Sequence, residues 1–112
     1  MLAQAYSAAD VLAVPTIADA LTQTAIESIA CGTPCVAFDR GGVTDVVTDE
    51  TGYQARFGDV DDLARGLETV LADSQRYAAR CRAIAEEEFT VALQVRRYVE
   101  LYENVLCETA AA

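Results

Sequence analysis

The sequence contains no histidine and no tryptophan, and only 7% of its 112 residues are aromatic. Without histidine the protein lacks the usual general base, the commonest nitrogen ligand for metals and every catalytic triad that depends on an imidazole. The shortage of aromatic side chains predicts a core of Ala, Val, Leu and Ile, which suits helices packed on a parallel sheet. A hydrophobic fraction of 53% is enough for such a core in one small domain.

Positive charge is also scarce, since 8 basic residues face 18 acidic ones and the net charge is −10. Such a chain repels nucleic-acid backbones and anionic lipid surfaces at long range. We therefore expect no nucleic-acid partner. A small anionic ligand remains compatible with this charge, because a helix N-terminus binds phosphate groups locally.

The cysteines Cys31, Cys35, Cys81 and Cys107 form no Cys-x-x-Cys pair. This spacing predicts four buried or half-buried thiols in a cytosolic protein, with a disulfide or metal framework as the alternative. The chain shows no signal peptide and no long uninterrupted apolar run, and from this we expect a cytoplasmic location.

The apolar pattern predicts an α/β fold with a Rossmann-like parallel sheet and flanking helices. Short apolar runs predict buried strands at 11–16 and 35–38 and an edge strand at 51–55. Helical periodicity predicts helices at 2–9, from Thr22 or Thr24 to about Cys31, and through most of 59–107. We expect 1–58 to hold the strand and helix motifs, 59–107 to hold the C-terminal helices, and 108–112 to be a frayed tail.

Three strands make a thin sheet with an unpaired edge, so the whole of 1–112 is interpreted as a single partial domain. The same unpaired edge predicts self-association of the isolated chain.

Two carboxylates stand out in the segment PTIADALTQTAIESIACGTP at 15–34. Asp19 lies in a polar loop after the first predicted strand, and Glu27 lies on a helix that is otherwise small and apolar. In open parallel sheets, ligands bind outside the carboxyl ends of the strands, where this loop and helix begin. Packing of the helix on the sheet does not explain an acid at Glu27.

The stretch from 9 to 52 resembles the C-terminal domain of retaining glycosyltransferases of the GT-B fold, in the large group 1 (GT4) family. The resemblance rests on an apolar strand ending in Pro15-Thr16, then Asp19, seven intervening residues and Glu27. Ala-Cys-Gly-Thr-Pro, a second strand and Gly41-Gly42 complete the pattern. The resemblance implies the latter half of the C-terminal domain, with a last helix that crosses back toward an N-terminal acceptor domain outside this chain.

By this resemblance, the chain is the donor-binding portion of an enzyme that transfers a hexosyl group from a UDP- or GDP-linked sugar with retention of configuration. Glu27 would hold the nucleotide ribose, Gly41 and Gly42 would line the site, and the donor sugar would contact Asp19, Ala20, Leu21, Thr22 and Gln23. The resemblance implies no cofactor and no metal, and a location that is cytoplasmic or peripheral at the inner membrane face.

Less specific interpretations stay open beside these. Glu27 could be an ordinary exposed helix acid, Asp19 a loop or capping residue, and Gly41-Gly42 a turn that needs positive φ. The family commonly has Glu where this chain has Asp19, and Gly-Phe-Gly where it has Ala-Leu-Thr. The alternative function is a non-catalytic remnant or interaction module that keeps the fold without the activity.

Overall fold

A computed structural model describes residues 1–17 and 23–111. The described residues form five α-helices, three β-strands and one 3₁₀ turn, at Gly42–Asp45. The strands are β1 (Leu12–Val14), β2 (Cys35–Phe38) and β3 (Gly52–Ala55). The helices are α1 (Leu2–Ala8), α2 (Gln23–Ala30), α3 (Val60–Ala72), α4 (Ser74–Glu88) and α5 (Val91–Ala111).

The three strands form one parallel sheet in the order β1-β2-β3. Every residue of β2 is buried, because the strand is covered on both faces. Successive side chains of β2 enter opposite faces: Cys35 and Ala37 join one hydrophobic cluster, and Val36 joins the other. The predicted parallel α/β architecture is confirmed.

The strand β1 is shorter and more exposed than the sequence suggested. A buried strand was expected over 11–16, but only Leu12–Val14 forms it, with Leu12 half-buried and Ala13 exposed. The sheet order explains this difference, because among the described residues β1 has a neighbouring strand on one side only. The third strand also lies at an edge, as predicted.

One face of the sheet is covered by α2 and α4. Ala25 and Ile29 of α2 are fully buried there beside Cys81 of α4. Val46 and Val47, which follow the 3₁₀ turn, complete this cluster. The small residues of α2 let the helix lie close to the sheet, which explains their number in this segment.

The other face is covered by α3. Val70 is fully buried against Val36, with Leu63 and Leu67 partly buried beside them. Asp59 caps the helix, since its side chain accepts a hydrogen bond from the backbone N–H of Asp62 at 2.9 Å.

The helix α5 differs from the expectation in two ways. It continues to Ala111, past the point at Cys107 where fraying was expected. Its tyrosines, Tyr98 and Tyr102, were expected to be core or interface, and they are not core within the described chain. Only Leu93 of this helix is half-buried, and its other described side chains are exposed. The exposed members of its apolar stripe are Val91, Val95, Tyr98, Val99, Leu101, Tyr102, Val105 and Leu106.

Candidate functional site

The carboxyl ends of β1 and β2 lie side by side at one edge of the sheet. Their register pairs Val14 with Ala37, so the segments that follow, 15–17 and 39–42, begin at the same edge. The predicted donor-sugar residues Asp19, Ala20, Leu21 and Thr22 lie outside the described residues. The prediction that Thr22 caps the helix lies outside them too. Thr24, the other cap considered, lies inside α2.

Glu27 lies on the exposed face of α2. The buried face of this helix is formed by Ala25, Ser28 and Ile29, so the carboxylate points away from the sheet. It accepts a hydrogen bond on Oε2 from the hydroxyl of Tyr6, at 3.1 Å. Among the residues that the structure describes, no group donates a hydrogen bond to the other oxygen, Oε1.

Tyr6 is a residue that the sequence reasoning did not assign to the site. It is the buried residue of α1, and burial together with the hydrogen bond to Glu27 raises its pKa above the ordinary value. The phenol therefore stays protonated at neutral pH and donates. The signal available in the sequence was an aromatic residue on a short helix just before the strand, which by itself indicates only core packing.

Gln23 is exposed at the amino end of α2, one turn before Glu27. Residues four apart lie on the same helix face, about 6 Å apart along the axis. Gln23 also lines an open groove of about 540 Å³ between the start of α2 and the junction of α4 with α5. Ile26, Phe89, Tyr98 and Leu101 supply its apolar wall. Thus the structure brings Gln23 and Glu27 onto one surface.

Gly41 and Gly42 follow β2 at the same sheet edge. Gly41 adopts φ 84°, and Gly42 begins the 3₁₀ turn. The interpretation of Gly41 as a turn residue with positive φ is therefore confirmed. A close approach to a ligand, the other interpretation of this pair, stays a prediction.

An aromatic and charged cluster beside this turn was not predicted. The carboxylate of Asp39 accepts a hydrogen bond from the backbone N–H of Phe57 at 2.8 Å, which ties the segments after β2 and β3 together. The guanidinium carbon of Arg40 lies 3.9 Å from the centroid of the Phe57 ring. Arg40 is thus a basic side chain at this edge, with its guanidinium over an aromatic face.

The four cysteines are free thiols, as the sequence predicted, but Cys107 is exposed on α5 and not buried or half-buried as expected. Within 1–17 and 23–111, no cluster of three or more cysteine, aspartate or glutamate side chains could hold a metal ion. None of the helices described is long and apolar enough to span a membrane.

The family model for glycosyl transferases group 1 matches residues 1–88. This match covers the sheet, the helices packed on it, and both Tyr6 and Glu27. The chain belongs to the glycosyl transferases group 1 family.

Relatives and solved structures agree with this assignment. A D-inositol 3-phosphate glycosyltransferase of Nocardia farcinica is 36% identical over 110 residues, which are 96% of this chain and 24% of that protein. The structure of Anabaena Alr3699/HepE in complex with UDP-glucose matches with a TM-score of 0.79 and 26% identity, over 92% of this chain and 30% of that one. Sucrose-phosphate synthase from Thermosynechococcus elongatus matches with a TM-score of 0.80 and 29% identity, over 96% of this chain and 28% of that one.

The chain spans about a quarter of the length of the Nocardia protein. It therefore corresponds to only part of the structure of such relatives. The fold class and the family predicted from the sequence are confirmed. The roles predicted for Glu27, Gln23, Gly41 and Gly42 in donor binding remain predictions.

Proposed function

We propose that this chain is the donor-binding part of a glycosyltransferase, in which Glu27 holds the ribose of a nucleotide-diphosphate sugar. The observation that carries the proposal is the placement of Glu27. Its carboxylate is exposed on the helix that follows β1 in the chain, and among the described residues only Tyr6 donates to it, on Oε2. A carboxylate accepts hydrogen bonds from the two vicinal hydroxyls of a ribose well.

The remaining contacts follow the face of α2. Gln23 lies one turn before Glu27 and about 6 Å nearer the amino end of the helix, so it is placed to meet the sugar end of the same ligand. Residues 19–22 precede it in the chain, and in this proposal Asp19 contacts the sugar hydroxyls. The positive end of the helix dipole, at the amino end of α2, favours binding of the diphosphate that joins the ribose to the sugar.

The reaction we propose is hexosyl transfer from a UDP- or GDP-linked sugar with retention of configuration and without a metal. The solved neighbour from Anabaena, whose structure holds UDP-glucose, supports a nucleotide sugar as the ligand class. Electrostatic stabilisation of the departing diphosphate would be the main contribution to catalysis. The cytoplasmic location stays a prediction.

A second domain completes the proposed enzyme and carries the acceptor. The exposed apolar stripe of α5 supports this, because a contiguous apolar surface of this kind marks an interaction site. The open edge of β1 supports it too, since unpaired strand edges accept further strands. When the chain is alone, the same edge favours self-association, which sedimentation would detect as a concentration-dependent increase in mass.

The test is calorimetric titration of the full chain with UDP, GDP and their glucose conjugates, for the wild type and for Glu27→Ala. Losing hydrogen bonds to a charged group costs about 1.5–3 kcal/mol each, so Glu27→Ala should weaken binding about tenfold or more. Glu68→Ala is the matched control, because Glu68 is an exposed helix acid on α3, on the opposite face of the sheet.

Equal nucleotide affinity in the wild type and in Glu27→Ala would contradict the ribose role. If no nucleotide bound at millimolar concentration, the donor-binding proposal would be wrong. The alternative, a non-catalytic interaction module, would then account better for the exposed stripe of α5.

A further inference from the structure

The hydrogen bond between Tyr6 and Glu27 joins two helices that are distant in the sequence. The donor and acceptor residues are 21 positions apart, and the phenol ring is 8% exposed. A buried ring is fixed in position, whereas a glutamate side chain on an exposed helix face rotates about three bonds. The hydrogen bond to Tyr6 therefore restricts the rotation of the Glu27 side chain.

A second set of contacts fixes the distance between the two helices. The hydroxyl of Thr33, which is buried just after α2, donates to the backbone carbonyl of Tyr6. The same residue is tied to α2, because its carbonyl accepts from the Ser28 hydroxyl at 2.9 Å and its N–H donates to the Ser28 carbonyl at 2.9 Å. Thr33 thus holds the end of α1 against α2, and it places the Tyr6 hydroxyl within reach of Glu27.

A carboxylate held in one orientation is preorganised to accept hydrogen bonds from the two ribose hydroxyls. The phenol occupies one lone pair of Oε2, which restricts the rotamers of Glu27, and no other group in 1–17 or 23–111 donates to this carboxylate. Fixing a charged side chain before binding lowers the entropy that must be lost when the ligand arrives.

We propose that Tyr6 is a positioning residue that orients the Glu27 carboxylate toward the ribose hydroxyls of the donor nucleotide. This inference rests on the proposed ribose-binding role of Glu27. It assigns a function to a side chain that packing alone would otherwise explain.

The test compares UDP with 2′,3′-dideoxy-UDP, which lacks both ribose hydroxyls, on the full chain carrying Tyr6→Phe. Phenylalanine keeps the ring and removes only the hydroxyl. We expect UDP to bind about 3- to 10-fold more weakly, which is the range for one hydrogen bond, while the dideoxy nucleotide binds as it does to the wild type. In a Glu27→Ala background, Tyr6→Phe should have no further effect on UDP affinity.

Tyr53→Phe is the matched control. The Tyr53 hydroxyl also donates to a carboxylate, that of Asp62 at 2.8 Å, but this pair joins β3 and α3. Loss of that hydrogen bond should lower the melting temperature and leave both nucleotide affinities unchanged.

The outcomes separate this inference from the function on which it rests. If Glu27→Ala weakens UDP binding but Tyr6→Phe does not, the positioning role is wrong and the ribose role stands. If Tyr6→Phe weakens UDP and dideoxy-UDP equally, Tyr6 acts only through packing and the inference is again wrong. If Glu27→Ala leaves UDP binding unchanged, both are wrong.

A second variant covers the case in which Tyr6→Phe does not fold. Replacing Tyr6 with 3-fluorotyrosine keeps the ring and the hydroxyl but makes the hydroxyl a stronger donor. Tighter binding of UDP at neutral pH, with no change for dideoxy-UDP, would support the positioning role, and unchanged binding of both would contradict it.

Discussion

The central strand β2 and the last helix α5 are built from similar aliphatic residues but have opposite environments. Val36 in β2 is fully buried, whereas Val99 in α5 is 48% exposed. Both faces of β2 are covered by helices of the same chain, while the apolar stripe of α5 has no such cover within the described residues. The family match follows the same division, since it ends at residue 88 and α5 begins at Val91.

A comparison between α3 and α5 shows what this difference means. Both helices carry an apolar stripe of helical period, and in α3 that stripe packs on the sheet. Helical periodicity therefore predicts a helix with one face to bury, but not the surface that will bury it. No described part of the chain covers the stripe of α5, and we propose that a second domain covers it.

The largest expected effect is the loss of stable folding in Gly52→Ala, a substitution in the buried sheet. A Cβ atom at Gly52 would lie 1.7 Å from the carbonyl oxygen of Cys35, a backbone atom of the neighbouring strand. The pairing of β2 with β3 cannot accommodate this, so we expect no cooperative melting transition by circular dichroism.

Gly58→Ala is the control for that substitution. Gly58 has φ 76°, but nothing lies within 4 Å of a Cβ placed there. The cost should be only the backbone strain of a left-handed residue, about 1–2 kcal/mol, with cooperative unfolding retained. A folded Gly52→Ala variant as stable as Gly58→Ala would contradict the close approach of the two strands.

The second prediction compares one substitution in the two helices. Val70→Ala in α3 removes two fully buried methyl groups and should lower the free energy of unfolding by about 2 kcal/mol. Val99→Ala in α5 has the same change in helix propensity, but the side chain is 48% exposed, so we expect a change within about 0.5 kcal/mol.

Urea denaturation of the isolated chain measures both variants. Equal destabilisation would show that α5 buries Val99, either on the rest of the chain or in a self-associated form. When both variants are measured again in the presence of the proposed second domain, Val99→Ala should lower the free energy of unfolding more than it does in the isolated chain.

The third prediction concerns the cysteines of the packed region at high pH. Burial raises the pKa of the Cys35 thiol to about 11 and that of Cys81 to about 12, above the ordinary range of a thiol. Because the folded state holds these protons longer than the unfolded state, the stabilising contribution is complete below pH 9. It is lost as the pH rises through the folded pKa values.

The measurement is the free energy of unfolding between pH 8 and pH 10, where thiol ionisation in the unfolded chain begins. Cys35→Ala should make the decline with pH less steep. Cys107→Ala is the control on the exposed side, since Cys107 lies on the surface of α5, and its profile should match the wild type. An unchanged slope in Cys35→Ala would contradict the burial of that thiol as the cause.

The strands, the helices and their order could be predicted closely from local patterns. β2 is found at Cys35–Phe38, as the four-residue apolar run predicted, and Gly32 ends α2 with φ 80°. The strand β1 is shorter than predicted, since Leu12–Val14 forms it in place of 11–16. Such shifts are ordinary at the ends of short elements, where few hydrogen bonds define the boundary.

The site was predictable in part. The position of Glu27 on an exposed helix face follows from the spacing of the apolar residues around it. Its contact with Tyr6 does not, because no periodicity connects two residues 21 positions apart on separate helices. The same holds for Asp39 and Phe57, whose hydrogen bond depends on how β2 and β3 end side by side.

The sequence by itself determined the fold class, the parallel order of the elements and the acid at position 27, since these depend on period, turn residues and local spacing. Only the tertiary structure decided which apolar faces are covered and which side chains meet. Burial and hydrogen bonding between distant segments depend on the packing of whole layers, which leaves β2 enclosed, α5 exposed and the hydroxyl of Tyr6 on the carboxylate of Glu27.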